Sequence, residues 1–125
     1  MVAKTNLPKD IKEWVKQYDI ILRWSPEDKG YGAVVTELPG CFSFGKTREA
    51  ALKNAEVAIV LWLETAHESG DSIPKPLAIM PFKGVFTVRS DSHLHRELML
   101  EAKEKQISFN KYVQDILYRR DALSL

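Results

Sequence analysis

The hydrophobic positions near the start of the chain have helical spacing. After Pro8, apolar side chains follow an i, i+3, i+4, i+7 series at Ile11, Trp14, Val15 and Tyr18. This spacing places them on one face of a helix, and proline is favoured in a first turn because its missing N–H has no partner there anyway. We therefore predict a short amphipathic helix over about residues 7–17.

Alternation replaces the helical spacing from residue 20 and indicates three strands. Two alternating runs flank the turn sequence SPEDKG, and their apolar members are Ile20, Leu22 and Trp24, then Tyr31, Ala33 and Val35. Such a pattern predicts a β-hairpin. A second turn, LPGC, has proline followed by glycine as a type II turn requires. It predicts that the sequence CFSFG returns as a third short strand.

A long helix is predicted after the strands, between the N-cap candidate Thr47 and the terminating Gly70. The side chains expected on the sheet are Leu52, Ala55, Ile59, Trp62, Leu63 and Ala66. A second apolar group, Val57, Val60 and Leu61, makes the hydrophobic surface wider than one sheet face needs. Two explanations stay open, namely cover by the N-terminal helix or a surface for self-association or a partner.

Composition and charge narrow the class of protein only slightly. The 125 residues are 45% hydrophobic and 28% charged, with one cysteine. These values indicate an ordinary soluble chain with one core or two small ones and no intrachain disulfide. No apolar run is long enough for a membrane span, and MVAKTNLPKD lacks the apolar centre of a signal peptide. We expect a cytoplasmic protein without a membrane partner.

The proline-punctuated sequence IPKPLAIMP separates two differently patterned halves. Residues 1–81 contain 10 Lys+Arg and 11 Asp+Glu, whereas residues 82–125 contain 8 and 6. We therefore predict two domains, residues 1–81 and residues 82–125. The mildly basic second domain permits nucleic-acid binding without requiring it.

The second domain begins with an alternating strand that has no partner in its own sequence. In the sequence GVFTVR, Phe86 and Val88 would face one side of the strand. Only helical patterns follow: Leu94, Leu98 and Ala102, then Phe109, Val113, Ile116 and Leu117 after the N-cap candidate Ser108. A strand with unpaired backbone groups in so small a domain predicts a twin chain. Antiparallel pairing would bury Phe86 and Val88 in a homodimer.

Catalysis is not expected. A two-metal nuclease needs several carboxylates that converge on one point, but Asp19, Asp28 and Glu37 belong to strand ends and a turn. His93 and His95 are two residues apart, which puts them on different sides of a helix start, and no third His or Cys completes a metal site. We predict no catalytic residue, no metal ligand and no cofactor.

The first domain resembles the N-terminal domain of HicB-type antitoxins of bacterial toxin–antitoxin systems over about residues 18–76. The matching positions are Gly30-Tyr31, Glu37-Leu38-Pro39-Gly40-Cys41, Gly45, Thr47, Glu49-Ala50, Asn54-Ala55, Ala58, Trp62-Leu63, Gly70 and Ile73-Pro74-Lys75-Pro76. The resemblance implies an α+β, partial RNase H-like βββα(β) domain, here with an extra N-terminal helix. Its short fourth strand would fall near residues 77–80. It also implies an inhibitor module rather than an enzyme.

The second domain resembles the ribbon-helix-helix DNA-binding domain that many HicB proteins carry at their C-terminus. The matching sequence is FTVR, then LHRxL, then ISFNKYV. The resemblance implies base contacts from the outward side of a two-stranded ribbon and a phosphate contact at the start of the second helix. The base-contacting residues would be Val85, Thr87 and Arg89, and the phosphate-contacting residues Ser108, Asn110 and Lys111. Val85 departs from the polar residue usual at its position.

The function that we predict is therefore that of a type II antitoxin. By the resemblance, it would mask a HicA-type mRNA-cleaving toxin and repress its own operon by binding operator DNA, as a homodimer or a higher oligomer. The alternative is a stand-alone ribbon-helix-helix regulator whose first domain senses another partner or only oligomerises. A divergent RNase H-like nuclease is the enzyme alternative.

Overall fold

The computed structural model describes residues 6–123 of the chain. It divides into two compact units, one ending at Phe82 and the other beginning at Lys83. The first unit has the order helix, three strands, helix that the hydrophobic pattern predicts. Its elements are α1 (Lys9–Trp14), β1 (Ile21–Ser25), β2 (Gly30–Val34), β3 (Phe42–Gly45), α2 (Arg48–Glu68) and a short 3-10 helix (Leu77–Ile79).

The three strands form one antiparallel sheet in the order β1-β2-β3, so β1 and β3 are its edges. The predicted type II turn precedes β3: Gly40 has φ +79°, and the Cys41 N–H donates to the Leu38 carbonyl at 3.0 Å. Glycine tolerates this left-handed conformation because it has no Cβ. The turn therefore returns the chain beside β2 as the sequence indicates.

Helix α2 lies on one face of this sheet. It begins where Thr47 Oγ1 accepts a hydrogen bond from the Ala50 N–H at 3.1 Å, which confirms the predicted N-cap. Its buried residues are Ala51, Ala55, Ile59, Leu63 and Ala66. The prediction for Leu52 was wrong, because this side chain is 39% exposed. A Cβ on Gly45 would lie only 2.2 Å from the Ala51 N, so β3 and α2 approach too closely here for a large side chain.

Residues that flank α1 complete the main core, and α1 itself packs against it through Ile11 and Trp14. That core comprises Leu7, Val15, Tyr18, Val35, Leu38, Cys41, Ile59 and Leu63. Trp14 and Val60 pack against it, so the N-terminal helix does cover part of the second apolar group on α2. Val57 and Leu61 stay 56% and 58% exposed. Cover by the N-terminal helix therefore does not extend to Val57 and Leu61, and a self-association or partner surface at these two residues stays a prediction.

The fourth strand expected near residues 77–80 is absent, and a 3-10 helix takes its place. The Ile79 N–H donates to the Pro76 carbonyl and the Met80 N–H to the Leu77 carbonyl, both at 3.2 Å. Proline has no N–H to give to a sheet ladder, and Pro76, with φ −54°, begins the short helix. The expectation of a fourth strand was therefore wrong.

The second unit contains α3 (Ser92–Glu104), α4 (Phe109–Tyr118) and α5 (Arg120–Leu123). Asp91 Oδ1 caps α3 by accepting from the Leu94 N–H at 2.8 Å, and Ser108 Oγ caps α4 by accepting from the Lys111 N–H at 3.0 Å. Both caps satisfy an N–H that a helix start leaves without a partner. The predicted pair of helices is confirmed.

Candidate functional site

Of the three acidic residues considered for metal catalysis, Glu37 and Asp28 use their carboxylates for structural contacts, and Asp19 takes part through its backbone N–H. Glu37 Oε2 accepts from the Asp19 N–H at 2.9 Å and Glu37 Oε1 from the Leu77 N–H at 2.6 Å. Asp28 Oδ2 accepts from Ser25 Oγ at 3.1 Å within the β1–β2 turn. Among residues 6–123, no group of three or more His, Cys, Asp and Glu side chains could hold a metal ion.

The two histidines considered as metal ligands also have other contacts. His93 Nε2 lies 2.6 Å from Glu97 Oε1, one turn along α3. The ring centroid of His95 lies 5.4 Å from that of Phe109 on α4, in a tilted arrangement. His93 therefore faces a carboxylate on its own helix and His95 an aromatic ring on the next.

The segment from Gly84 to Ser90 belongs to no helix or strand of the single chain. The side chains expected on its two sides are all exposed: Val85 by 88%, Phe86 by 71% and Val88 by 75%. Thr87 and Arg89 are exposed as well. The segment thus presents an extended backbone edge and three apolar side chains that nothing in the described part of the chain covers.

Exposed apolar side chains continue onto the helices of this unit. Leu94, Met99, Leu100, Leu117 and Tyr118 are all more than 36% exposed. Of the predicted apolar stripe on α4, Phe109, Val113 and Ile116 are half-buried, whereas Leu117 is exposed. A soluble domain rarely leaves so many apolar side chains in water without a partner.

The start of α4 brings Ser108, Asn110 and Lys111 together, as the helix pattern predicts. The Ser108 side chain already accepts a hydrogen bond from the Lys111 N–H. The N–H groups that precede it in the first turn of α4 are therefore left for a ligand. Lys111 Nζ lies 2.7 Å from Asp115 Oδ1, and its side chain is 60% exposed. The lysine charge is therefore accessible but shared with a carboxylate.

Tyr112 is a buried polar contact that the sequence pattern did not reveal. It is 8% exposed, and its hydroxyl donates to Glu101 Oε1 at 2.5 Å, joining α4 to α3. The hydrogen bond to Glu101 and burial raise the pKa of the Tyr112 hydroxyl above its ordinary value. This contact fixes the two helices relative to each other.

A groove in the first unit was also missed from the sequence. It has a volume of about 470 Å³ and lies between the outer edge of β3 and one side of α2. Its lining residues are Gly40, Cys41, Phe42, Ala58, Leu61, Trp62, Thr65, Ala66 and Asp71. Leu61, Trp62 and Ala66 were noted as apolar positions of one helix, but the sequence does not show that the turn before β3 and Asp71 lie beside them.

A small sheet-and-helix unit followed by a capped helix pair, each with exposed apolar side chains, is typical of proteins that associate with other macromolecules. Comparison with known proteins defines the class further. Residues 18–84 match the family model of the HicB-like antitoxin of bacterial toxin–antitoxin systems, and residues 68–117 match that of the HicB family. The chain is also 37% identical over 59 residues to the UPF0150 protein Ta0767 of Thermoplasma acidophilum, an alignment that covers 47% of this chain and 84% of that protein.

The first match spans more than half of the chain and contains the whole sheet and α2. The chain therefore belongs to the HicB-like antitoxins of bacterial toxin–antitoxin systems. Among residues 6–123, no helix is both long enough and apolar enough to cross a lipid bilayer.

Proposed function

We propose that this antitoxin has two separable activities. The first unit masks a HicA-type toxin that cleaves mRNA, and the second unit pairs with a twin copy and binds operator DNA to repress the operon. Membership in the antitoxin family supports the first activity. No catalytic role is assigned to the chain.

The exposed segment at residues 84–89 is the observation that carries the DNA-binding proposal. Its apolar side chains Phe86 and Val88 are 71% and 75% exposed in the single chain. Antiparallel pairing with a second copy would satisfy the backbone groups and bury both side chains against the helices. The opposite side of the resulting ribbon would then present Val85, Thr87 and Arg89.

A two-stranded ribbon fits the major groove of B-DNA, where side chains reach base edges. Arg89 can donate two hydrogen bonds to guanine, and Thr87 can donate, accept or offer its methyl group. Val85 can only contact a thymine methyl, so we expect an A·T pair at its position. The α4 N-terminus would bind a phosphate through its free N–H groups, with Lys111 adding charge.

Co-expression of the full chain with the small gene next to it on the genome tests both activities. We expect the neighbouring product alone to arrest growth and degrade mRNA, and the chain to restore growth. A reporter driven by the operon promoter should be repressed by the chain. A neighbouring product that is harmless, or that remains toxic with the chain present, would contradict the antitoxin assignment, and an unrepressed reporter would contradict the DNA-binding assignment.

A further inference from the structure

We propose that the groove between β3 and α2 is the surface that binds the toxin, and that a cationic, extended segment of the toxin occupies it beside β3. This inference rests on the proposed masking of a toxin and adds the surface that does it. The groove is lined by residues from the turn before β3, from α2 and from the segment after α2. All of these residues belong to the unit that ends at Phe82.

The groove has apolar walls that water reaches. Leu61 on α2 is 58% exposed, and Phe42 at the start of β3 is 62% exposed, although its ring lies on the open face of the sheet, where a Cβ on Gly32 would meet it at 3.4 Å. Next to Leu61, Trp62 is held in place, because its Nε1–H donates to the Pro39 carbonyl at 2.8 Å. A fixed aromatic ring beside an exposed apolar side chain is the kind of surface at which binding energy concentrates in protein interfaces.

The backbone of β3 offers hydrogen bonds along the same groove. The Val35 N–H donates to the Cys41 carbonyl, so residues 41, 43 and 45 point their backbone groups toward β2 in the alternating antiparallel pattern. The backbone groups of Phe42 and Phe44 therefore point outward from the edge. The Phe44 carbonyl accepts from Asn54 Nδ2 at 2.7 Å, which leaves the Phe42 N–H and C=O and the Phe44 N–H for an added strand.

Charge selects the kind of segment that would bind. Residues 54–74 contain four carboxylates and no lysine or arginine, although the whole chain has a net charge of +1. The four are Glu56, Glu64, Glu68 and Asp71. A protein that cleaves mRNA needs cationic side chains to hold the phosphate backbone. Of the four, only Asp71 lines the groove, and it places a negative charge where such a protein has positive charge.

The open face of the sheet is a weaker candidate for the same partner. The register places Arg23, Gly32 and Phe44 in one row on the face away from α2. Arg23 is exposed, and Lys46 Nζ lies 5.9 Å from the centroid of the Phe44 ring. These cations would repel a cationic partner, so the groove is favoured.

The test compares two leucines on the same helix. Leu61→Glu places a charge in the groove, whereas Leu52→Glu makes the same change at another exposed position of α2 that lies outside it. The probe is the purified product of the neighbouring gene, titrated calorimetrically into the full chain. We expect Leu61→Glu to weaken binding by about 30-fold or more, as for a central interface residue, and Leu52→Glu by less than about threefold.

Two further measurements test the charge of the groove and the pairing of the toxin segment with the β3 backbone. Asp71→Lys should weaken binding by about tenfold at low salt, with a smaller effect at high salt, because the interaction is partly electrostatic. Hydrogen exchange on the unaltered chain should slow at the Phe42 and Phe44 amides when the probe binds. This last measurement needs no variant and therefore does not depend on how any substitution folds.

The outcomes separate this inference from the function on which it rests. If the unaltered chain fails to bind the neighbouring product, the proposed masking is wrong. If it binds equally well with Leu61→Glu, or if the Phe42 and Phe44 amides exchange as fast as before, masking stands and the groove is not its site. If Leu61→Glu instead halves the mass of the free chain in sedimentation, a second copy occupies the groove and the toxin does not.

Discussion

Glu37 shows how a residue that suggests chemistry can have a structural role. Its two carboxylate oxygens accept hydrogen bonds from the Asp19 N–H, just before β1, and from the Leu77 N–H, at the 3-10 helix. One side chain therefore joins two segments that are 58 residues apart in the sequence. The sequence reveals the carboxylate but not its two donors, because both are backbone groups that only the fold brings near.

Tyr18 makes the stability of the first unit depend on pH. Its hydroxyl donates to the Pro74 carbonyl at 2.5 Å, and burial, together with the charge of Glu37, raises its pKa from 10.0 to about 12. Above pH 10 the unfolded chain loses this proton and the folded chain keeps it. The free energy of unfolding should therefore fall between pH 10 and 12, by at most about 3 kcal/mol.

Tyr18→Phe should remove this fall while costing about 1 kcal/mol at neutral pH through the lost hydrogen bond. Urea unfolding at pH 8, 10 and 11.5 measures both effects. Tyr118→Phe, at a side chain that is 75% exposed, is the control and should follow the unaltered chain. If the free energy of unfolding falls with pH equally in Tyr18→Phe and in the unaltered chain, the pH dependence does not come from Tyr18.

Gly45 and Gly32 should respond in opposite ways to alanine. A Cβ on Gly45 would lie 2.2 Å from the backbone N of Ala51, whereas one on Gly32 would meet only the Phe42 ring at 3.4 Å. We expect Gly45→Ala to cost about 3 kcal/mol or more and Gly32→Ala to stay within about 1 kcal/mol. All three tryptophans precede residue 83, so unfolding followed by tryptophan fluorescence reports on this unit. Equal effects of the two substitutions would argue against the close approach of β3 and α2.

At the scale of elements, features that depend on neighbouring residues are predicted correctly from the sequence. Features that depend on how elements pack against or pair with one another are not. The Pro39-Gly40 turn and the caps at Thr47 and Ser108 were correct because each depends on neighbouring residues only. The inward face of α2 was wrong at Leu52, because helical spacing does not reveal where a strand comes closest. The prediction of a fourth strand was wrong because a sequence match does not reveal whether backbone hydrogen bonds to a sheet can form next to Pro76.

The ribbon segment and α4 are assigned different parts of DNA binding, which predicts different behaviour of their variants. Arg89→Ala should cost about 1–3 kcal/mol on operator DNA and little on random DNA, since it removes a base contact. Lys111→Ala should weaken both alike and lower the slope of log K against log salt by about one per contact. Because Lys111 also pairs with Asp115, the loss of affinity and the change in salt slope caused by Lys111→Ala should both be small for a phosphate contact.

A salt titration of both variants on operator and scrambled duplexes distinguishes the two roles. Asn110→Ala, at the same helix start, removes no charge and should leave the salt slope unchanged. Equal loss of affinity for Arg89→Ala on both duplexes would make Arg89 a phosphate contact and would remove the ribbon from base recognition.

At the scale of the whole molecule, we expect the second unit to be too small to be stable alone. A few dozen residues with exposed apolar side chains on the ribbon segment, α3 and α4 bury little surface. The proposed pairing would supply what the single chain lacks, so folding and pairing of this unit should depend together on concentration. The first unit has its own core around Ile59 and Leu63 and should not show this dependence.

Sedimentation of the full chain should therefore give a dimer of the 14.3 kDa protomer. Phe86→Asp should convert it to a monomer at micromolar concentration, because a charge would enter the paired core. Thr87→Asp adds the same charge on the other side of the strand, so it should keep the dimer and lose only DNA binding. A Phe86→Asp chain that stays dimeric would contradict pairing through residues 84–89.

The exposed segment between Pro81 and Asp91 also bears on the lifetime of the protein. Proteases bind their substrates as extended, unpaired backbone, and a segment of this kind is where they cut first. In a paired ribbon the same bonds are shielded. A chain that has lost its twin would therefore be cleaved between its two units before either core is attacked. Because pairs separate when the protein becomes dilute, the amount of intact antitoxin would then fall more steeply than its rate of synthesis.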